Sequence, residues 1–254
     1  MFKTLHNLGS KILIATGRVG RNYDKDIIID VENSTFTCNK FRKQFPVELY
    51  GTIGGLIKGQ TPFICGGYDR TNRRNSRDCY KLNEAGTWTK DQIAVLNTAR
   101  RLAGTGSAVT NNKLVLSGGY GSSGPLKSIE LVSPNGRSKT LSVQLPFGLS
   151  HHCSIQWDSE TVMIIGGYGG KKSEKKESRR AETYFINVRT NTLKNGPSLN
   201  NARYAFACEE LKMQGKSYIV VSGGSGGYRS TEVLDKANIG QGWQRGTKQK
   251  TLFQ

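Results

Sequence analysis

Five times the chain runs a short apolar stretch into a doublet of small residues. The doublets are Thr16-Gly17, Gly66-Gly67, Gly118-Gly119, Gly166-Gly167 and Gly223-Gly224. Their first residues, at 16, 66, 118, 166 and 223, are spaced 50, 52, 48 and 57 apart. A period near 50 with strand-like content defines a repeat architecture, in which each unit buries its apolar face against the next. This excludes most helical folds and favours one domain over the whole chain.

Each unit parses into four strands. In the third, residues 101–109 alternate small and apolar residues, and Asn111-Asn112 makes a hairpin turn. Residues 113–116 form a continuously apolar strand, as expected where both faces are buried. Gly118-Gly119 ends that strand. A loop over residues 120–127 leads to a third strand at 128–132 and, after Pro134-Asn135-Gly136, to a fourth at 139–143. Pro146 closes the unit in a loop, where a missing N–H does no harm.

The other units share this layout. Cys79-Tyr80 is followed by Trp88, Val233-Leu234 by Trp243, Tyr184-Phe185 by Leu193, and residues 27–29 by Phe36. The large residue on the fourth strand reads as packing between neighbouring units. The doublet glycines suit strand ends that need positive φ or close backbone approach.

The apolar strand into Gly-Gly, the later Tyr and Trp, and the Asn-x-Lys turn before the apolar strand resemble kelch repeats, over roughly residues 2–246. The resemblance implies an all-β fold: a β-propeller of kelch-type four-stranded blades around a central channel. The blades run at about 2–46, 47–96, 97–146, 147–198 and 199–246, within a single domain spanning 1–254. The first unit departs from the pattern with Thr16-Gly17, and three units lack Trp. Five blades are fewer than is usual in the family. Either the ring is small, or it is incomplete and further repeats lie outside this chain. The first repeat begins almost at Met1, which favours a fragment or a lost start.

No secretory signal is visible, and no apolar run reaches the ~18 residues of a membrane span. The five cysteines contain no C-x-x-C spacing, so a zinc site is not expected. Cys153 and Cys208 read as buried free thiols on first strands. Cys65 and Cys79 flank one loop and would meet across neighbouring strands, so free thiols and a disulfide both stay open there. Secreted invertebrate kelch-type proteins are similar at this point, with a Cys-Gly-Gly followed by an Asp-Cys-Tyr. That likeness and the sequon Asn33-Ser34-Thr35 tilt the compartment toward the extracellular side, against a cytoplasmic one.

A formal charge of +18 favours anionic partners. In the propeller topology, the loops between strands two and three emerge on one face. They hold Arg18, Arg21 and Lys25; Arg70, Arg73, Arg74 and Arg77; Lys127; Lys171, Lys172, Lys175, Lys176, Arg179 and Arg180; and Arg229. That is 15 of the 37 basic residues, against seven acidic ones. Arg101 and Arg203, with Arg100, should lie near the same face. Tyr228 is a freer aromatic there, whereas Tyr68, Tyr120 and Tyr168 follow Gly-Gly doublets and read as packing at the channel mouth.

The leading expectation is therefore a non-enzymatic interaction scaffold with no cofactor. Its basic loop face would dock an acidic protein, or a sulfated or phosphorylated polyanion such as a sulfated glycan. The plainer reading is a set of solvated loops. No specific nucleic-acid motif occurs. The alternative is a carbohydrate-active kelch enzyme resembling galactose oxidase or the sialic-acid epimerases. His151 and His152, adjacent on an expected strand, would point to opposite faces and not share a metal.

Overall fold

The apolar strands are the reason the units stack. The computed structural model describes residues 45–104, 108–170, 178–227 and 229–246, together with the backbone of the strands Thr4–Asn7, Lys11–Ala15, Ile27–Glu32 and Thr35–Lys40. Those four strands form the first antiparallel sheet. The second comprises Ile53–Ile57, Thr61–Cys65, Asp78–Leu82 and Trp88–Val95. The third comprises Val109–Thr110, Lys113–Ser117, Ile129–Val132 and Lys139–Thr140. In the fourth, Gly148–Ser150 and Cys153–Gln156 both pair with Thr161–Gly170, followed by Ser178–Asn187 and Thr192–Gly196. The fifth comprises Ala207–Met213, Lys216–Ser222, Thr231–Asp235 and Gln244–Arg245. The chain is thus all-β, a run of antiparallel meanders compatible with a propeller-like arrangement. No described helix is long and apolar enough to cross a membrane.

Successive side chains on a strand point to opposite faces, and here both faces find a partner. Leu114 and Leu116 pack toward the second sheet, with Phe63 and Ile53, whereas Val115 joins Val162 and Ile164 of the fourth. Met163 and Ile165 turn the other way, onto Ile219, Val221 and Trp243 of the fifth. Trp88 packs with Tyr80 and Phe45, and Trp243 donates from Nε1 to the Pro197 carbonyl at 2.8 Å. Both tryptophans are core residues, and Trp243 packs against the neighbouring fourth sheet.

A backbone chain ties the sheets together at one level. Leu102 N–H donates to the Gly51 carbonyl, His151 N–H to Leu102 and Ala205 N–H to His151. All four residues have positive φ, between 53° and 66°. The left-handed turn at Leu102 breaks the extended run expected over 101–109. The first strand of the third sheet is therefore only Val109–Thr110, with Arg101 forming an isolated bridge to Tyr120. His151 is likewise not on a strand; it sits in the break between Gly148–Ser150 and Cys153–Gln156.

The segment leading into each sheet is held in one of two ways. In the third sheet the Arg100 guanidinium is fully buried. It donates to the Gly118 and Ser128 carbonyls, to Ser128 Oγ, and to Glu130 Oε1 at 2.5 Å. Glu130, also buried, accepts from the backbone N–H groups of Asn97 and Thr98. The fifth sheet repeats this set: Arg203 reaches Gly223, Ser230 and Glu232, and Glu232 accepts from Asn200 and Asn201. Burial pulls the Arg100 pKa down and Glu130 opposes it.

The second and fourth sheets fill the same slots with apolar groups. The Glu position, opposite Leu116 and Val221, is Tyr80 opposite Ile64 and Tyr184 opposite Ile164. The Arg position is Leu49 and Leu149, both buried with those tyrosines. The Asn position becomes Pro46 and Pro146, which have no N–H for a carboxylate to satisfy. Removing one partner of a buried pair is far more damaging than replacing the pair by apolar residues. Glu130→Ala should lower stability by roughly 3–5 kcal/mol. The triple variant Asn97→Pro/Arg100→Leu/Glu130→Tyr should recover most of that loss, measured by urea unfolding. Equal damage in both variants would refute the equivalence of the two clasps.

Candidate functional site

In the second, third and fourth sheets the segments between strands two and three carry further strand pairing. In the second sheet, Tyr68–Asp69 and Arg74–Asn75 form a hairpin that pairs with Leu49–Tyr50. In the third, Tyr120–Gly121 pairs with Gly124–Pro125. In the fourth, the two long strands continue the ladder to Gly169 and Ser178. These hairpins fix where the charges stand.

Arg70, Arg73, Arg74, Arg77, Arg179 and Arg229 are exposed. Arg77 is nonetheless anchored, donating from Nε to the Leu96 carbonyl at 2.6 Å. The described acidic residues of these segments are engaged elsewhere. Asp69 is buried and accepts from Asn72 N–H and Nδ2 at 3.0 and 2.7 Å. Asp78 pairs with Lys90 at 2.9 Å, and Glu182 lies 3.6 Å from Arg180. Among the described residues, no carboxylate lies within ion-pair distance of Arg73, Arg74, Arg179 or Arg229.

Three residues expected at the docking face are buried instead. Arg203 is fully buried in its clasp with Glu232, like Arg100 with Glu130, and neither can meet a partner. Arg180 is only 7% exposed; its Nε donates to the Gly169 carbonyl and its guanidinium lies over the Phe147 ring. Arg18, Arg21, Lys25, Lys171, Lys172, Lys175, Lys176 and Tyr228 lie outside the described residues.

At the level of the positive-φ chain, the structure gathers half-buried aromatic groups. Tyr50 meets Tyr68 at 5.2 Å between ring centroids, Tyr168 meets Tyr204 at 5.2 Å, and His151 meets Tyr204 at 5.7 Å. Arg101 stands between Tyr68 and Tyr120, its guanidinium carbon 5.0 and 5.3 Å from their centroids. Tyr50 and Tyr204 escaped the sequence reading. Their signal is register: each precedes a positive-φ residue, as Arg101 does.

His152 is buried between the third and fourth sheets, where Nε2 and Ser117 Oγ share a hydrogen bond at 2.8 Å. Burial, reinforced by His151, lowers its pKa to about 3. Burial and then Arg101 lower that of His151 to about 4. Both rings are neutral at pH 7. Among the described residues no three His, Cys, Asp or Glu side chains converge as a metal site.

Cys65 and Cys79 occupy directly paired positions on adjacent strands, Cα–Cα 4.1 Å, and are disulfide-bonded. Cys153 and Cys208, expected as free thiols, are also bonded, with Cα–Cα 6.3 Å. The stacking of first strands from consecutive sheets brings the two together.

No protein-family model matches the chain, and no curated protein matches it.

Two outcomes are expected. Peptide mapping without reduction should recover both linkages. Cys153→Ser/Cys208→Ser, which opens a 55-residue separation, should lose about 4 kcal/mol, more than the about 3 kcal/mol for the shorter loop. Free thiols at Cys153 and Cys208 would contradict this. The histidines act through protons. Their folded pKa values lie below the unfolded value of about 6.5, so the unfolded state binds more protons as pH falls. Their contribution is complete above pH ~6.5 and is lost progressively toward pH 4 and 3. The urea midpoint should therefore fall from pH 6.5 to 5, before most carboxylates titrate, and His151→Gln/His152→Gln should flatten that fall.

Proposed function

We infer that the chain is a kelch-type β-propeller acting as a non-enzymatic docking module for an acidic partner. The carrying observation is the split among its charges. The segments between strands two and three present exposed arginines, while the described carboxylates beside them are taken up by internal contacts. The field of such a surface is not locally neutralised, and it adds to a net charge of +18. Exposed arginines offer bidentate hydrogen bonds to carboxylate, phosphate or sulfate.

The propeller itself is supported by the five meander sheets, by apolar strands buried on both faces, and by the backbone chain through Gly51, Leu102, His151 and Ala205. Two disulfides favour an oxidising compartment as the working environment.

Replacing Arg70, Arg73 and Arg74 with Ser should lower the salt concentration that elutes the protein from heparin, with thermal stability unchanged. Arg77 is left in place because it anchors Leu96. Unchanged elution would refute the docking face.

A further inference from the structure

Arg100 and Arg101 are adjacent in sequence and opposite in state. The first has its donors saturated by carbonyls, a serine and Glu130 in a dry core. The second is half-buried and, among the described residues, makes one side-chain hydrogen bond, from Nη1 to Asn75 Oδ1 at 3.3 Å. No carboxylate pairs with it among the described residues. Asn75 is itself fixed, donating from Nδ2 to the Tyr120 carbonyl at 3.0 Å. The corresponding positions in the second, fourth and fifth sheets are Tyr50, Ser150 and Tyr204, so Arg101 supplies the charge at this level of the described sheets.

We propose that Arg101, flanked by Tyr68 and Tyr120 and steadied by Asn75, is a carboxylate-binding subsite that receives one acidic side chain of a peptide partner. It rests on the reading of this face as a docking surface and adds the point where a single carboxylate is recognised. Partial burial raises the local strength of a charge–charge contact above that at a fully hydrated arginine. The two ring faces and Asn75 restrain the side chain before binding, which reduces the ordering that a partner must impose. The guanidinium fork matches a planar carboxylate in two parallel hydrogen bonds, which an ammonium cannot reproduce. Among the described residues no carboxylate competes for it. Asp69, on the same hairpin as Asn75, is held by Asn72, and His151 on the next sheet is uncharged at pH 7.

The test is fluorescence anisotropy of a labelled hexaglutamate peptide titrated with the full chain. Wild type is compared with Arg101→Gln, Arg101→Lys and the Arg70→Ser/Arg73→Ser/Arg74→Ser variant, with thermal unfolding as the fold control. Arg101→Gln should weaken binding about tenfold or more. Arg101→Lys should weaken it nearly as much, because charge is retained and the fork is lost. The Arg101→Gln deficit should persist at about 0.5 M salt, where exposed pairs are screened. If both Arg101 variants bind like wild type while the triple variant is weakened, the subsite is overturned and the docking face stands. If Arg101→Lys binds like wild type, recognition is by charge alone and the bidentate subsite is overturned. If hexaglutamate does not bind wild type, the carboxylate subsite fails, and heparin elution then judges the docking face separately.

Discussion

The rest of the structure depends on how the chain enters each sheet. That segment crosses from one unit to the next, leaves the ladder and brings unpaired N–H groups into the interior. A buried N–H without a partner costs about 1–3 kcal/mol, so every unit must answer it. The third and fifth sheets answer with a carboxylate, Glu130 or Glu232, which in turn requires a buried arginine to balance it. The second and fourth remove an N–H with Pro46 or Pro146, and fill the space with Leu49 and Tyr80 or Leu149 and Tyr184. These are two self-consistent sets, and mixing them would strand either a charge or a donor.

That division also sorts the arginines by role. A fully buried guanidinium paired to a buried carboxylate is scaffolding, whatever its sequence context. One that stands half in water beside aromatic rings, with donors to spare, is available to a ligand. Arg100, Arg101 and Arg203 differ in this respect although two are neighbours and two occupy the same slot. The clasp sets the position of Arg101 as well, because the turn at Leu102 follows directly from the segment that Glu130 holds.

Much of the fold was legible in the amino-acid sequence. The glycine doublets end the apolar strands of the second, third and fifth sheets where the periodicity placed them, whereas in the fourth the strand runs on through a bulge at Gly166-Gly167 to Gly170. The continuous apolar character of 114–116 corresponds to burial on both faces. The placement of arginines was less legible. Arg203 resembles a loop residue in sequence because its partners, Ser230 and Glu232, lie 27 and 29 positions away. The pairing emerges only when Asn-x-Ala-Arg and Ser-x-Glu are read as one unit, against Pro-x-x-Leu and Tyr in alternate repeats. The Cys153–Cys208 bond was hidden for a similar reason: its register belongs to neighbouring sheets rather than to one hairpin. Left-handed turns at Leu102 and His151 carry no glycine signal, so the first strands were drawn too long.

The central claim is that the arginines divide into buried clasps paired to a carboxylate and a receptive mouth group. Nitrogen-15 NMR of the guanidinium groups tests it most directly. The account predicts slowly exchanging, individually resolved Nη protons for Arg100 and Arg203, unaffected by added glutamate peptide. Arg101 should exchange faster and shift when that peptide is added. Rapid exchange at Arg100 and Arg203 alike, or a protected and unresponsive Arg101, would contradict it.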